Sequence, residues 1–252
     1  MVVKSAGGSD VGKLREANED SFLIAPERKL YVVADGMGGH AGGGFASKKI
    51  LELVIEELDR ISNLQETTQP LMNHEERTVT QFRLLRALQR ANQSLFEISL
   101  KDPNLRGMGT TLTAVQFDEK FANFAHIGDS RGYLVRDGQI RQLTEDHSWV
   151  QEQVKMGVLS AEEAKSHPLK NIITRSMGHE RDVKVDLLKH EFKSKDKYLL
   201  CSDGLSNMVN DDELLKIVSE NGIEDAIPVM IKRANEEGGY DNITVVLAEV
   251  SD

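Results

Sequence analysis

Asp35 closes the apolar run Leu30 to Ala34 and opens onto a string of glycines, GMGGHAGG. Asp129 and Asp203 stand in the same way after FAHIG and YLLCS, and Asp241 stands just before ITVVL. A single Asp-Gly pair is ordinarily a turn. Asp137-Gly138, with alternating runs on both sides, reads as a two-residue hairpin. The other four aspartates abut runs with the character of buried strands. A buried carboxylate without a partner is costly, and several at corresponding strand ends repel one another. A shared divalent cation resolves both problems. The donors on offer are carboxylates and glycine carbonyls, with no His-x3-His pair and no cysteine cluster. Hard oxygen donors favour Mg²⁺ or Mn²⁺ over zinc. Glycine beside an aspartate leaves its carbonyl free to approach a cation.

Three rival readings are weaker. Gly36 to Ala41 fits G-x-G-x-x-A, the dinucleotide fingerprint. Asp35 would then face the pyrophosphate, and the acid required about 20 residues further on is missing because that region reads as helix. Gly7 to Leu14 approaches a phosphate-binding P-loop, but Leu14 replaces the Ser or Thr that holds magnesium, and no strand is expected before it. Cys201 lacks the arginine six positions on that a cysteine phosphatase needs; position 207 is Asn. It reads as a packed thiol.

The elements that must position these residues follow from periodicity. Strands are expected at SFLIA, KLYVVA, TTLTAVQF, FANFAHI, GYLVRDGQIRQL, DVKVDLLKHEF, KYLLCS and NITVVLAEV. Ile50, Leu51, Val54, Ile55, Leu58 and Ile61 share one face of a helix. Further helices are expected from about 76 to 100, 211 to 220 and 224 to 236, with Pro228 in the first turn of the last or kinking it. Residues 147–176 have a different texture, with a short helix and then a capping box at Ser160 and Glu163. The strands mostly follow one another without intervening helices. An α+β fold is therefore expected, not a doubly wound parallel sheet.

Bulk properties exclude other classes. The chain has 252 residues and a net charge of -10, the wrong sign for general nucleic-acid or membrane-surface binding. The single cysteine precludes an internal disulfide and fits a reducing compartment. No apolar run approaches the roughly 20 residues of a membrane helix, and MVVKSAGGSDVG has no signal-peptide core. A cytoplasmic location is expected.

The ordered set SDVGKLREANEDS, VVADGMGGHAGG, GMGTTL, AHIGDSRGYL, LTEDHSWV, HPLKNIITRSMG, LLCSDGLSN and GGYDNITVVL closely resembles the metal-dependent protein serine/threonine phosphatases of type 2C, in their bacterial form. The resemblance covers nearly the whole chain. It implies two antiparallel sheets packed face to face with helix pairs outside, and one catalytic domain over residues 1–252 with a helical flap at about 147–176. It implies two tightly bound Mn²⁺ or Mg²⁺ ions, with Asp35 bridging them. Asp203 and Asp241 would complete the first metal's ligand set, and the Gly36 carbonyl, with Glu19 or Asp20, would serve the second metal. Asp129, with Asp203 and the flap residue Asn171, would form a weaker third site. Attack on phosphorus in line would come from a water that the two metals share and acidify, with no phosphoenzyme. Arg15 would clamp two phosphate oxygens, a task for which lysine is poorly shaped. Some relatives carry a general-acid histidine where this chain has Met37; His40, nearby in the glycine loop, is the candidate substitute. The implied substrates are phosphoproteins, including those of a Ser/Thr kinase, and a monomer is expected. The rival from another class is a catalytically weak phosphoprotein-binding relative. The acids Glu52, Glu56, Glu57 and Asp59 read as a solvated helix face. Met108 and His126 read as packed residues, Arg131 as the partner of an acid, and Trp149 as an anchor of the flap.

Overall fold

Alternation along LYVVA sends Leu30, Val32 and Ala34 to one side of a strand and Tyr31 and Val33 to the other. Both sides are buried, in separate clusters, so this strand lies in a sheet covered on two faces. The computed structural model of the chain describes residues 1–38, 42–63 and 77–251. Its elements run β1 (Val2–Asp10), β2 (Asp20–Ala25), β3 (Leu30–Met37), α1 (Gly42–Asn63), α2 (Val79–Lys101), β4 (Gly109–Thr110), β5 (Leu112–Phe117), β6 (Phe121–Ile127), β7 (Arg131–Arg136), β8 (Gln139–Gln142), α3 (Trp149–Lys155), α4 (Ala161–Ser166), β9 (Asp186–Glu191), β10 (Lys197–Cys201), α5 (Asp203–Ser206), α6 (Asp211–Glu220), α7 (Ile223–Glu236) and β11 (Ile243–Ser251).

One sheet has the order β1-β11-β10-β7-β8. The other has the order β2-β3-β5-β6-β9, with β4 pairing β3. The registered pairs are antiparallel, as the α+β expectation requires. Between the sheets lie Tyr31, Val33, Phe117, Phe124, Tyr198 and Val246. Phe117 meets Tyr31 and Tyr198 edge-on, with ring centroids 5.9 and 5.2 Å apart. Full burial of one such ring is worth about 1.5–3 kcal/mol. The stripe Ile50, Leu51, Val54, Leu58 and Ile61 of α1 packs with Leu84, Leu88 and Leu95 of α2 over the second sheet. Helices α6 and α7 cover the first through Leu214, Ile217, Val218 and Met230.

The hairpin at Asp137-Gly138 has φ of 52° and 72°, the left-handed pair of a type I′ turn. The capping box is present: Ser160 Oγ accepts from the Glu163 amide, and the Glu163 carboxylate accepts from the Ser160 amide. Three expectations change. A strand, β1, does run through Gly7 to Asp10, paired along its full length with β11; the Lys13 loop therefore follows a strand after all. Of the two places expected for Pro228 the first turn falls away: it is the sixth residue of α7, inside the helix, where a proline has no N–H to offer the Glu224 carbonyl. Glu57 is not a solvated acid. It lies between Arg60 and Arg90, its side chain 12% exposed, and so links α1 to α2.

Candidate active site

Register alone gathers the aspartates. Asp20 opens β2 directly opposite Asp35 on β3. Leu112, at the start of β5, pairs with Ile127 at the end of β6, so the Gly128-Asp129 turn leaves the same edge of that sheet. In the other sheet, β10 ends at Cys201 opposite Val245 of β11. That puts Asp203 and Asp241 side by side, and β1 ends at Asp10 opposite Ile243. Both sheets thus deliver acids to one end of the sandwich.

Neighbouring polar groups fix each carboxylate's backbone. The Asp35 amide donates to Thr111 Oγ1 (2.9 Å), and its carbonyl accepts from the Thr111 amide (2.8 Å) and Thr110 Oγ1 (2.9 Å). Thr111 Oγ1 also meets Ser130 Oγ at 2.7 Å, so one threonine ties the Asp35 strand to the Asp129 turn. The Gly128 amide donates to His147 Nδ1 (3.0 Å), and its φ of +106° suits glycine. Ser202 Oγ donates to Asp20 Oδ2 (2.7 Å) and accepts from the Thr244 amide (3.0 Å). At Gly36 a Cβ would lie 2.1 Å from the Gly43 carbonyl oxygen. The end of β3 and the start of α1 touch only because that position lacks a side chain.

The electrostatics are those of a carboxylate cluster short of positive charge. Burial pushes the Asp20 carboxyl up to about 7, with Asp203 and Asp241 adding to the effect. Burial and Asp241 push Asp203 up to about 6. Burial holds Asp35 well above the usual range, with Asp20, Asp203, Asp129 and Asp241 all adding. Asp129 is raised in the same direction by burial, Asp203 and Asp146. Three carboxylate oxygens, Glu19 Oε1, Asp20 Oδ1 and Asp129 Oδ1, are buried without any hydrogen-bond partner. A buried acceptor left unpaired is costly. Carboxylate oxygens that repel one another and lack donors are the donor set a hard divalent cation takes. Among the described residues no three acidic, imidazole or thiol groups yet converge closely enough to hold a metal. Asp241 Oδ2 is instead engaged by Arg15 Nη2 at 2.7 Å. The residues present fit the cation, with Arg15 supplying positive charge at Asp241.

The expected residues divide accordingly. Asp20, Asp129, Asp203 and Asp241 all lie close enough to act on the Asp35 carboxyl through their charge, short of the convergence that would by itself hold a metal. Arg15 reaches the cluster from the exposed loop between β1 and β2. His40 lies outside the described residues. Asn171 lines a cleft of about 720 Å³ with Asp129 and Asp203, between the α3–α4 segment and α5–α6. Trp149 stacks near His167, centroids 5.1 Å apart, within that segment. Arg131 pairs with Asp146 (2.7 Å), and Met108 and His126 are buried. Ser202, Thr244, Thr111 and Asn242 join the site without having been expected there. Their partners are far away in sequence, so no local signal marks them.

A family model described as protein phosphatase 2C matches residues 13–248. The serine/threonine phosphatase stp of Listeria monocytogenes is 40% identical over 245 residues, 96% of this chain and 93% of that one. The crystal structure of the Mycobacterium tuberculosis serine/threonine phosphatase PstP/Ppp superposes with a TM-score of 0.87 at 36% identity, covering 100% of both chains. That of the PstP catalytic domain in complex with two manganese ions gives 0.84 at 37% identity, covering 100% of this chain and 99% of that one. The chain belongs to the protein phosphatase 2C family. It is a metal-dependent protein serine/threonine phosphatase, and its fold is that of the solved phosphatases it matches.

Proposed function

We propose that the carboxylate cluster at the end of the sandwich is the catalytic centre and that it takes two Mn²⁺ or Mg²⁺ ions. Asp35 would lie between them, Asp203 and Asp241 would hold the first, and Gly36 with Asp20 or Glu19 the second. Asp129 and Asp203 would offer a weaker third position that Asn171 borders. The single observation that carries this reading is the set of buried carboxylate oxygens at Glu19, Asp20 and Asp129 with no donor. The ions supply a water acidified for attack at neutral pH and charge neutralisation for the phosphoryl group. The chain's own residues do the rest. Ser202 holds one carboxylate oxygen of Asp20, and Thr111 fixes the backbone of Asp35. Arg15 receives the phosphate: its fork matches two phosphoryl oxygens, and it stands 52% exposed at the rim of the cluster. Residues 147–176 form a flap over the cleft that Asp129 and Asp203 floor. The general acid is proposed to be His40 or a water beside it.

The substrates are phosphoserine and phosphothreonine proteins, and the partner is a Ser/Thr kinase whose signalling this enzyme reverses in the cytoplasm. The buried free thiol of Cys201 is compatible with that compartment. Among the described residues no helix is long and apolar enough to cross a membrane. Phosphate release from a phosphothreonine peptide, with Mn²⁺ and then with excess chelator, tests the reading. Release that the chelator abolishes is expected; release that persists in chelator would overturn the metal assignment.

A further inference from the structure

Arg15 sits in a loop, residues 11–19, that has no regular structure and is largely exposed. An arginine on such a loop binds phosphate well only if the backbone beneath it is fixed. Asn242, 5% exposed, does this with one side chain. Its Nδ2 donates to the Val11 carbonyl (2.9 Å) and the Ala17 carbonyl (3.0 Å), and its Oδ1 accepts from the Glu19 amide (2.7 Å). The two carbonyls can only accept and the amide can only donate, so the orientation of the Asn242 amide is fixed by its partners. These contacts grip the loop on both sides of Arg15. The neighbouring residue, Asp241, takes the Arg15 guanidinium. Other ties on the loop are Gly12 N to Asp10 Oδ1 (2.8 Å), Lys13 N to the Gly239 carbonyl (2.7 Å) and Asn18 Nδ2 to Ser9 Oγ (2.7 Å), while the Glu19 carbonyl accepts from the Gly36 amide (3.2 Å) and Ser47 Oγ (2.5 Å).

We propose that Asn242 is a positioning residue for phosphate recognition, acting on Arg15 through the backbone of residues 11–19. The proposal rests on Arg15 being the phosphate-binding group. Asparagine is required because the site needs two donors and an acceptor in one plane; aspartate of the same shape would set an anionic oxygen against two carbonyls.

The test is a double-mutant cycle. Asn242→Ala, Asn242→Asp and the milder Asn242→Ser are each combined with Arg15→Ala in the manganese-loaded enzyme. KM for a phosphothreonine peptide and the inhibition constant of inorganic phosphate are measured. Asn242→Ala and Asn242→Asp are expected to raise both by about tenfold or more when Arg15 is present, and by less than about twofold when it is absent. Equal losses in both backgrounds would overturn the proposal, since the effect would then bypass Arg15. Two readouts without turnover accompany the cycle. Amide exchange of residues 11–19 is expected to accelerate in each Asn242 variant, while Mn²⁺ affinity by calorimetry stays within about twofold of the parent. Unchanged exchange, or a collapse of Mn²⁺ affinity, would count against the proposal. If Arg15→Ala alone leaves phosphate inhibition unchanged, the phosphate role of Arg15 fails, and amide exchange still decides whether Asn242 holds the loop. Asn242→Ser supplies the same comparison should the alanine variant fail to fold.

Discussion

Asp20 and Asp35 face each other on the first rung of the β2–β3 ladder, so two carboxylates share a place where a sheet ordinarily pairs neutral or opposite charges. Nothing in the described fold neutralises them: Ser202 satisfies one oxygen of Asp20, and the other has no donor. Asp35→Asn is expected to lower turnover by at least about a hundredfold and to raise the melting temperature of the metal-free protein, since it removes one of the repelling charges. Thermal denaturation in chelator and steady-state kinetics in Mn²⁺ check the two halves. A variant as active as the parent would remove Asp35 from the centre.

Arg15 and lysine are not equivalent in a bidentate site. Arg15→Lys is expected to keep the charge yet lose about tenfold or more in kcat/KM, with Arg15→Ala losing more. Inhibition by inorganic phosphate should weaken in the same order. Lysine restoring full activity would show that charge alone matters at this position.

Gly36→Ala would drive a Cβ to 2.1 Å from the Gly43 carbonyl oxygen and 2.6 Å from that of Glu19. Backbone on both sides cannot yield cheaply. A loss of stability of about 2 kcal/mol or more is expected, together with reduced manganese content after dialysis. Urea unfolding and metal analysis provide the measurements.

His126 is buried between Thr113 Oγ1 and the Glu145 carbonyl, each 2.9 Å from a ring nitrogen. Burial, reinforced by His147, pushes its pKa down to about 4. The unfolded chain therefore binds a proton there before the folded one does, and stability must fall as pH drops from about 6.5 towards 4. The contribution lost between about pH 7.5 and about pH 5 is about 2 kcal/mol. His126→Gln, whose amide can still donate to the Glu145 carbonyl, is expected to flatten this part of the profile. Urea midpoints of parent and variant at the two pH values decide; an equal acid loss in both would assign it to other groups.

Most of this was legible in the chain because the strands alternate cleanly and both helix pairs carry an apolar stripe. β1 was not, and the reason is steric. A Cβ at Gly7 would meet Ile24 and Phe22 at 3.0 Å, and one at Gly8 would meet Ile227 at 2.7 Å. Large side chains from neighbouring elements close over both faces there. Glycine replaces the alternation by which a strand is recognised, leaving a sequence with the texture of a loop. The aspartates were legible because each interrupts an apolar run. Ser202, Thr244 and Asn242 were not, since their partners lie 182, 42 and 223 or more residues away, and no local pattern encodes such contacts. The α3–α4 segment was legible in its capping box, whereas its approach to Asp129 and Asp203 depends on packing between distant parts of the chain.

The position of β11 has a consequence for how the enzyme comes into being. This strand is inserted between β1 and β10, and Asp241 stands at its entry. Residues 2–10 are made long before residues 243–251, with which they pair, so more than two hundred residues must follow them before their partner exists. Until β11 arrives, β1 has nothing to join it to β10, the Arg15 loop has no Asn242 to hold it, and the acid cluster is one member short. On the proposed assignment of Asp241, a growing chain stays catalytically silent until β11 is laid in, and phosphatase activity doubles as a report that the first sheet has closed.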